Sequence, residues 1–383
     1  MLKRIFIFFV LSVFLSLAFC IPSFAQDGSG YGTIPEDFYG VIGDLPDEVE
    51  DKLPNELYSN DPKEVGDGLA RMVSVEYVFS FVSELILSEM DGALPLLGIL
   101  CGLLLISALF NALRHTIASE SLSSVFGFCS TCAIFASIAS LMYSRLEMLK
   151  DFFERLNSLF LGFIPISCAV WAIGGNIGTA SLAGGTMYGF LTFAESVCAK
   201  SVTPVTCLCI VFALCRGISP SINLGGFASA VKKCYTFVLG FIMTLLLAIL
   251  SFQSMLGSSA DSVAARGAKM VTSSIIPIVG GSVSDTLRTL GASVQYIKSV
   301  VGIGGIVFVA ILLLPTLISL LLTRLVFLIS GSVADLLGCE GESKLIGELG
   351  GACGCMIAAV SMSSVMFVLA FDIFIKSAVA VGG

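Results

Sequence analysis

The chain has 383 residues, of which 56% are apolar and 13% charged, with a formal net charge of −8 and a mean hydropathy of +0.99. Such a composition excludes an ordinary soluble globular domain and describes a polytopic membrane protein, whose solvent is largely lipid. At about 20 apolar residues per helical crossing of a ~30 Å hydrocarbon core, the length supports roughly six to eight crossings and one small domain.

Residues 1–25 follow the secretory pattern: Lys3 and Arg4, an apolar run from Ile5 to Phe19, then Pro22 and the small residues Ser23 and Ala25. A signal peptide cleaved after Ala25 is expected, with an uncleaved anchor helix as the alternative. Residues 26–91 are different material, with 16 Asp and Glu against Lys52, Lys63 and Arg71. This acidic segment should be exported, extended at first, and helical from Pro62 to Met90. There Val65, Leu69, Met72, Val73, Val78, Val82, Leu85 and Ile86 recur at helical spacing.

The membrane domain occupies 92–383, and uncharged runs place its spans. The first two are 92–113 and 121–144, flanking a turn with Arg114 and His115. Residues 144–156 put Leu146, Leu149, Phe152, Phe153 and Leu156 on one face, as expected of a helix lying on the membrane surface. The uncharged stretch 156–194 reads as two short spans broken at Gly174 to Gly178, and 201–215, with Pro204 near its start, as a half-helix. Runs 234–257, 299–323 and 349–371 are further spans. The signal peptide orients the first span from outside to inside, although the bases then count six on inner loops and nine outside, against the positive-inside rule.

Residues 273–305 depart from this pattern. Leu287, Leu290, Val294, Ile297 and Val301 form one side of a helix, with Asp285, Arg288, Thr289, Gln295 and Tyr296 opposite. Ahead of it, an apolar dip contains Pro277 and ends at Gly280 and Gly281. It is the chemistry of a re-entrant segment, which needs a cavity or a close helix interface; a surface loop leading into an interfacial helix is the plain alternative. Pro277, Gly280, Gly281, Asp285 and Arg288 are therefore candidate pore residues. Four charges sit near apolar depth: Glu195 and Lys200, and Asp372 and Lys376 at i,i+4. They line a polar path or bind an ion, or else pair or snorkel without further role.

Gly98 and Gly102, Gly185 and Gly189, Gly347 and Gly351, and Gly350 and Gly354 stand four apart, a spacing that suits close helix contact. The 13 cysteines lie mostly in spans and behave as small apolar residues, including the Cys129 and Cys132 pair. With one histidine, His115, no zinc site is expected, and the chain lacks GxxxxGK[ST], HExxH and GxSxG. No cofactor, metal or catalytic residue is expected, and the protein is read as a non-enzyme without a nucleic-acid partner.

The order of a signal peptide, an acidic leader and an apolar bundle, and above all the block from Ser259 to Gly305 with the stretch SPSINLGG ahead of it, resembles the stage III sporulation protein AE family of endospore-forming bacteria. The resemblance implies a permease-like, all-α bundle of about seven (six to eight) transmembrane helices with a re-entrant or amphipathic segment. It implies a multi-pass protein of the mother-cell membrane around the forespore, a subunit of the channel or export complex that supports late forespore gene expression. The implied partners are the other stage III A operon proteins, among them a cytosolic ATPase and intermembrane ring proteins, a forespore partner protein, and the lipid bilayer. A free-standing ion-coupled secondary transporter is the alternative, with Glu195, Lys200 or Asp285 coupling ion to solute.

Overall fold

Long uncharged stretches without a strong breaker leave the backbone one way to satisfy its own polar groups in lipid, which is to hydrogen-bond along a helix. The computed structural model describes residue 54 and residues 62–72, 74–117, 120–173, 188–218, 225–249 and 280–376. These form α1 (Pro62–Met72), α2 (Val75–Ile117), α3 (Glu120–Ile173), α4 (Tyr188–Ile218), α5 (Gly225–Ile249), α6 (Gly280–Leu336) and α7 (Glu340–Lys376). The described residues contain no strand. Among the described residues six helices, α2 to α7, are long and apolar enough to cross a membrane. The signal sequence, most of the acidic leader and Pro277 lie outside the described residues.

The amphipathic pattern from Pro62 resolves into α1 and the first turns of α2. Helix α1 carries Glu64 in its first turn and Arg71 in its last, each favourable to the helix dipole, and buries Val65, Leu69 and Met72. It packs mainly on α6.

Cross-helix contacts fix the directions. Ser107 of α2 meets Glu342 at the start of α7, and Thr131 of α3 meets Gly217 at the end of α4. Toward the other end, Phe160 of α3 meets Phe367 of α7, and Trp171 meets both Phe374 and Tyr188 at the start of α4. Gly225 of α5 lies by Arg216 of α4, so α5 starts where α4 ends. Helices α2, α4 and α6 therefore run one way, and α3, α5 and α7 the other. The α6–α7 turn closes on Gly338, whose φ of 73° is the left-handed conformation a glycine allows without strain.

Helices α6 and α7 form the centre. Their large apolar side chains are mostly buried, whereas α2 and α5 present Leu94, Ile99, Leu105, Leu109, Phe237 and Phe241 outward, as lipid-facing helices must. Close approach of the central pair rests on glycines. A Cβ at Gly302 would stand 2.9 Å from Cδ1 of Ile375, and one at Gly305 would overlap the Phe371 ring. Of the small-residue pairs, Gly350 faces Phe327, Gly354 faces Arg324 and Gly351 faces Lys232; Gly98, Gly102, Gly189 and Gly347 have open space beside them.

Two expected breaks are absent. Residues 144–156 are no separate surface helix: they are the middle of α3, with Leu146, Leu149, Phe152, Phe153 and Leu156 buried in the core. An amphipathic stripe reads the same whether its apolar face meets headgroups or protein. Nor is 201–215 a half-helix, because α4 runs unbroken through Pro204; residues 188–194, the end of the expected short span before it, belong to the same helix, and the rest of that span lies outside the described residues. The apolar stretch of α3 from Gly127 to Ile173 has 47 residues. At 1.5 Å per residue it is about 70 Å long, more than twice a ~30 Å core, so part of it lies outside the hydrocarbon.

Candidate functional site

Charged groups inside a helical membrane bundle are costly, and their positions mark where function or assembly is decided. Among the described residues, three polar ties built on charged groups join α2, α3, α4 and α5 to α6 and α7. In the first, Glu348 of α7 accepts hydrogen bonds from Arg216 of α4 and Lys232 of α5. The side chains keep 9%, 24% and 22% of their exposure, so the carboxylate is enclosed while its cations reach partly outward. Glycines make room for both cations: a Cβ at Gly225 would sit 3.1 Å from the Arg216 guanidinium, and one at Gly351 would press on Lys232.

The second tie joins α2, α3 and α6. Arg145 Nη2 lies 3.3 Å from Glu89 Oε2, Arg145 Nε donates to Thr323 at 3.2 Å, and its Nη1 donates to Ser319. Ser319 in turn donates to Glu89 at 2.7 Å. The guanidinium thus has three acceptors, which is how a cation is kept at apolar depth. In the third tie, Ser107 of α2 donates to the buried Glu342 of α7 at 2.6 Å.

The expected site residues are not gathered in one place. Glu195 is 6% exposed on the inward face of α4, whereas Lys200 is exposed, and no ion pair joins them among the described residues. Asp372 is half-buried near the end of α7, and Lys376 is the last residue of that helix. Gly280 and Gly281 open α6, and Asp285 and Arg288 lie in its first turns, their side chains outside the described residues. Where side chains are described, the segment is packed inside: Val294, Val300 and Val301 are buried, and Lys298, 1% exposed, lies 5.9 Å over the Phe374 ring.

Sequence reasoning missed the three ties, yet a signal for the first was present. Arg216, Lys232 and Glu348 each stand at the end of an uncharged run, and six alternating helices bring those ends to one level. Treating each base as a loop anchor hid the match. Among the described residues no group of three His, Cys, Asp or Glu is placed to hold a metal, and no disulfide joins the described cysteines.

The comparisons follow the membrane bundle. The chain is 20% identical over 303 residues to stage III sporulation protein AE of Bacillus subtilis (strain 168), covering 78% of this chain and 74% of that relative. No solved structure matches. The family description for stage III sporulation protein AE matches residues 64–378, from α1 to the end of α7. The chain therefore belongs to the stage III sporulation protein AE family, and its role is in sporulation.

Proposed function

We propose that this protein is a membrane subunit of the channel or export complex between mother cell and forespore, seated in the mother-cell membrane around the forespore. The observation that carries the reading is a family match spanning the whole bundle rather than one motif. In this reading the other products of the stage III A operon assemble with it, including a cytosolic ATPase and intermembrane ring proteins, together with a forespore partner. The absence of GxxxxGK[ST] from the chain agrees with energy supplied by another subunit.

Packing decides what such a subunit can contribute. Between the later parts of α3 and α7 the interior is filled by Phe160, Phe163, Trp171, Phe367, Phe371 and Phe374, with ring centroids 4.2–5.2 Å apart in the Phe163–Phe371, Phe160–Phe367 and Trp171–Phe374 pairs. A dense aromatic core resists opening, so a passage lies between this chain and its neighbours rather than through the described core. Deleting the gene in the spore-forming host should abolish spore formation, and the tagged protein should co-purify with the other operon products. A normal spore yield refutes the reading.

One observation favours a second reading, a free-standing ion-coupled transporter: Glu195 is a buried carboxylate in the first half of α4. On that reading, neutralising it abolishes solute movement in membranes that contain none of the partner proteins.

A further inference from the structure

Arg145 meets three acceptors, but Arg324, within the apolar part of α6, makes no hydrogen bond or ion pair among the described residues. Its guanidinium lies against α7, where a Cβ at Gly354 would stand 3.4 Å from Nη1. One turn earlier, a Cβ at Gly351 would stand 2.5 Å from Nζ of Lys232, which comes from α5. Positions three apart on a helix are neighbours, so the two cations approach one stretch of α7 from either side. Lys232 already shares Glu348 with Arg216, and the exposed Lys233 follows it. Three bases thus gather around a single carboxylate with a fourth beside them.

The acids closest along the chain do not offset that excess. Helix α5 carries none, Glu340 pairs with Lys344, Glu342 accepts from Ser107, and Asp335 is about 16 Å from Arg324 along α6. Depth points to the missing anion. The uncharged runs 201–215, 234–257, 299–323 and 349–371 all meet charge at this level, at Arg216, Lys233, Arg324 and Glu348. Between α5 and α6 the stretch of α7 is incompletely covered, with Gly347 exposed and Gly351 and Gly354 half-buried. Phe237 and Phe241 continue the exposed face of α5 from Lys233.

We propose that this crevice over α7 holds the headgroup of an anionic phospholipid, its phosphate between Arg324 and Lys232, with Lys233 at the rim and the acyl chains along Phe237 and Phe241. Phosphate oxygens accept from a guanidinium and an ammonium together, and basic pockets between membrane helices select anionic headgroups in this way.

The test titrates the purified full chain in mild detergent with dioleoylphosphatidylglycerol and counts retained lipids by native mass spectrometry. One lipid should bind saturably, whereas dioleoylphosphatidylcholine, with the same tails and no net charge, should not saturate over that range. Arg324→Gln should weaken binding about fivefold, as one base at a charged membrane surface contributes. Arg324→Lys, which keeps the charge, should retain most of it, and Lys150→Gln, at an exposed position on α3, should change nothing. Equal retention of both lipids, or an Arg324→Gln variant that binds as the parent does, overturns the proposal. Displacement of the lipid by inorganic phosphate assigns the site to a free anion and overturns it too. So does a purified chain that retains no lipid, the outcome expected if a neighbouring subunit's carboxylate is the counter-ion.

Discussion

Replacing Glu348 by glutamine keeps the shape of the residue and removes the charge that two cations share. Breaking a fully buried pair by deleting one partner costs about 3–5 kcal/mol, because the remaining charge is left uncompensated. Arg216 and Lys232 keep roughly a quarter of their exposure, so water takes up part of that load. The expected loss is therefore about 2–3 kcal/mol, between the buried and the surface cases. Reversible unfolding of the purified chain in mild detergent titrated with dodecyl sulfate, followed by the fluorescence of the single tryptophan, Trp171, measures it. Glu340, which is 79% exposed and pairs only with Lys344, supplies the control: Glu340→Gln should change nothing measurable. Replacing all three residues by apolar ones (Glu348→Leu, Arg216→Met and Lys232→Met) should recover most of the loss, since no charge is then stranded. A Glu348→Gln variant within about 0.5 kcal/mol of the parent would refute the reasoning.

Gly305→Leu should push the Phe371 ring aside and cost about 1–3 kcal/mol in the same titration, whereas Gly98→Ala, with nothing beside it, should be silent. Ser107→Ala leaves the buried Glu342 without its 2.6 Å donor and should cost about 1.5–3 kcal/mol, the range for hydrogen bonds to charged groups. A membrane-permeant maleimide should modify the exposed Cys129, Cys207, Cys215 and Cys234 well before the buried Cys198, Cys209, Cys339, Cys353 and Cys355, read by mass spectrometry; uniform labelling would contradict the packing.

How much of this was legible in the sequence follows from what hydropathy measures. Runs 92–113, 121–144 and 349–371 lie within α2, α3 and α7, because twenty uncharged residues in lipid have no alternative to a helix. Pro204 misled, since a proline that ends a helix in water is tolerated in a membrane helix where neighbours and hydroxyls satisfy the freed carbonyl. The charges from Arg145 to Arg155 suggested a boundary, yet Arg145 turns inward to Ser319, Thr323 and Glu89. Periodicity gives the face a residue occupies and says nothing of what covers that face. Glu195 was legible as a charge out of place, but that α4 turns it to the inward face, 6% exposed, depends on which helices cover α4, and no local pattern gives that.

The three ties share a logic that hydropathy cannot express. In lipid, apolar surfaces gain little by leaving one neighbour for another, so helix association relies on close packing and polar contacts. Glycines bring α6 and α7 together, as Gly302, Gly305 and Gly350 against Ile375, Phe371 and Phe327 show. Each tie then has one end on that central pair and the other on the periphery: Glu342 holds α2 through Ser107, Ser319 holds α2 and α3 through Glu89 and Arg145, and Glu348 holds α4 and α5 through Arg216 and Lys232. Every peripheral spanning helix is thereby attached to the centre by a hydrogen bond to a charged group, the kind that lipid does not replace. Removing a tie should loosen the outer helices it holds and leave the α6–α7 pair intact, so the outer helices are the elements that can shift when a neighbouring subunit docks.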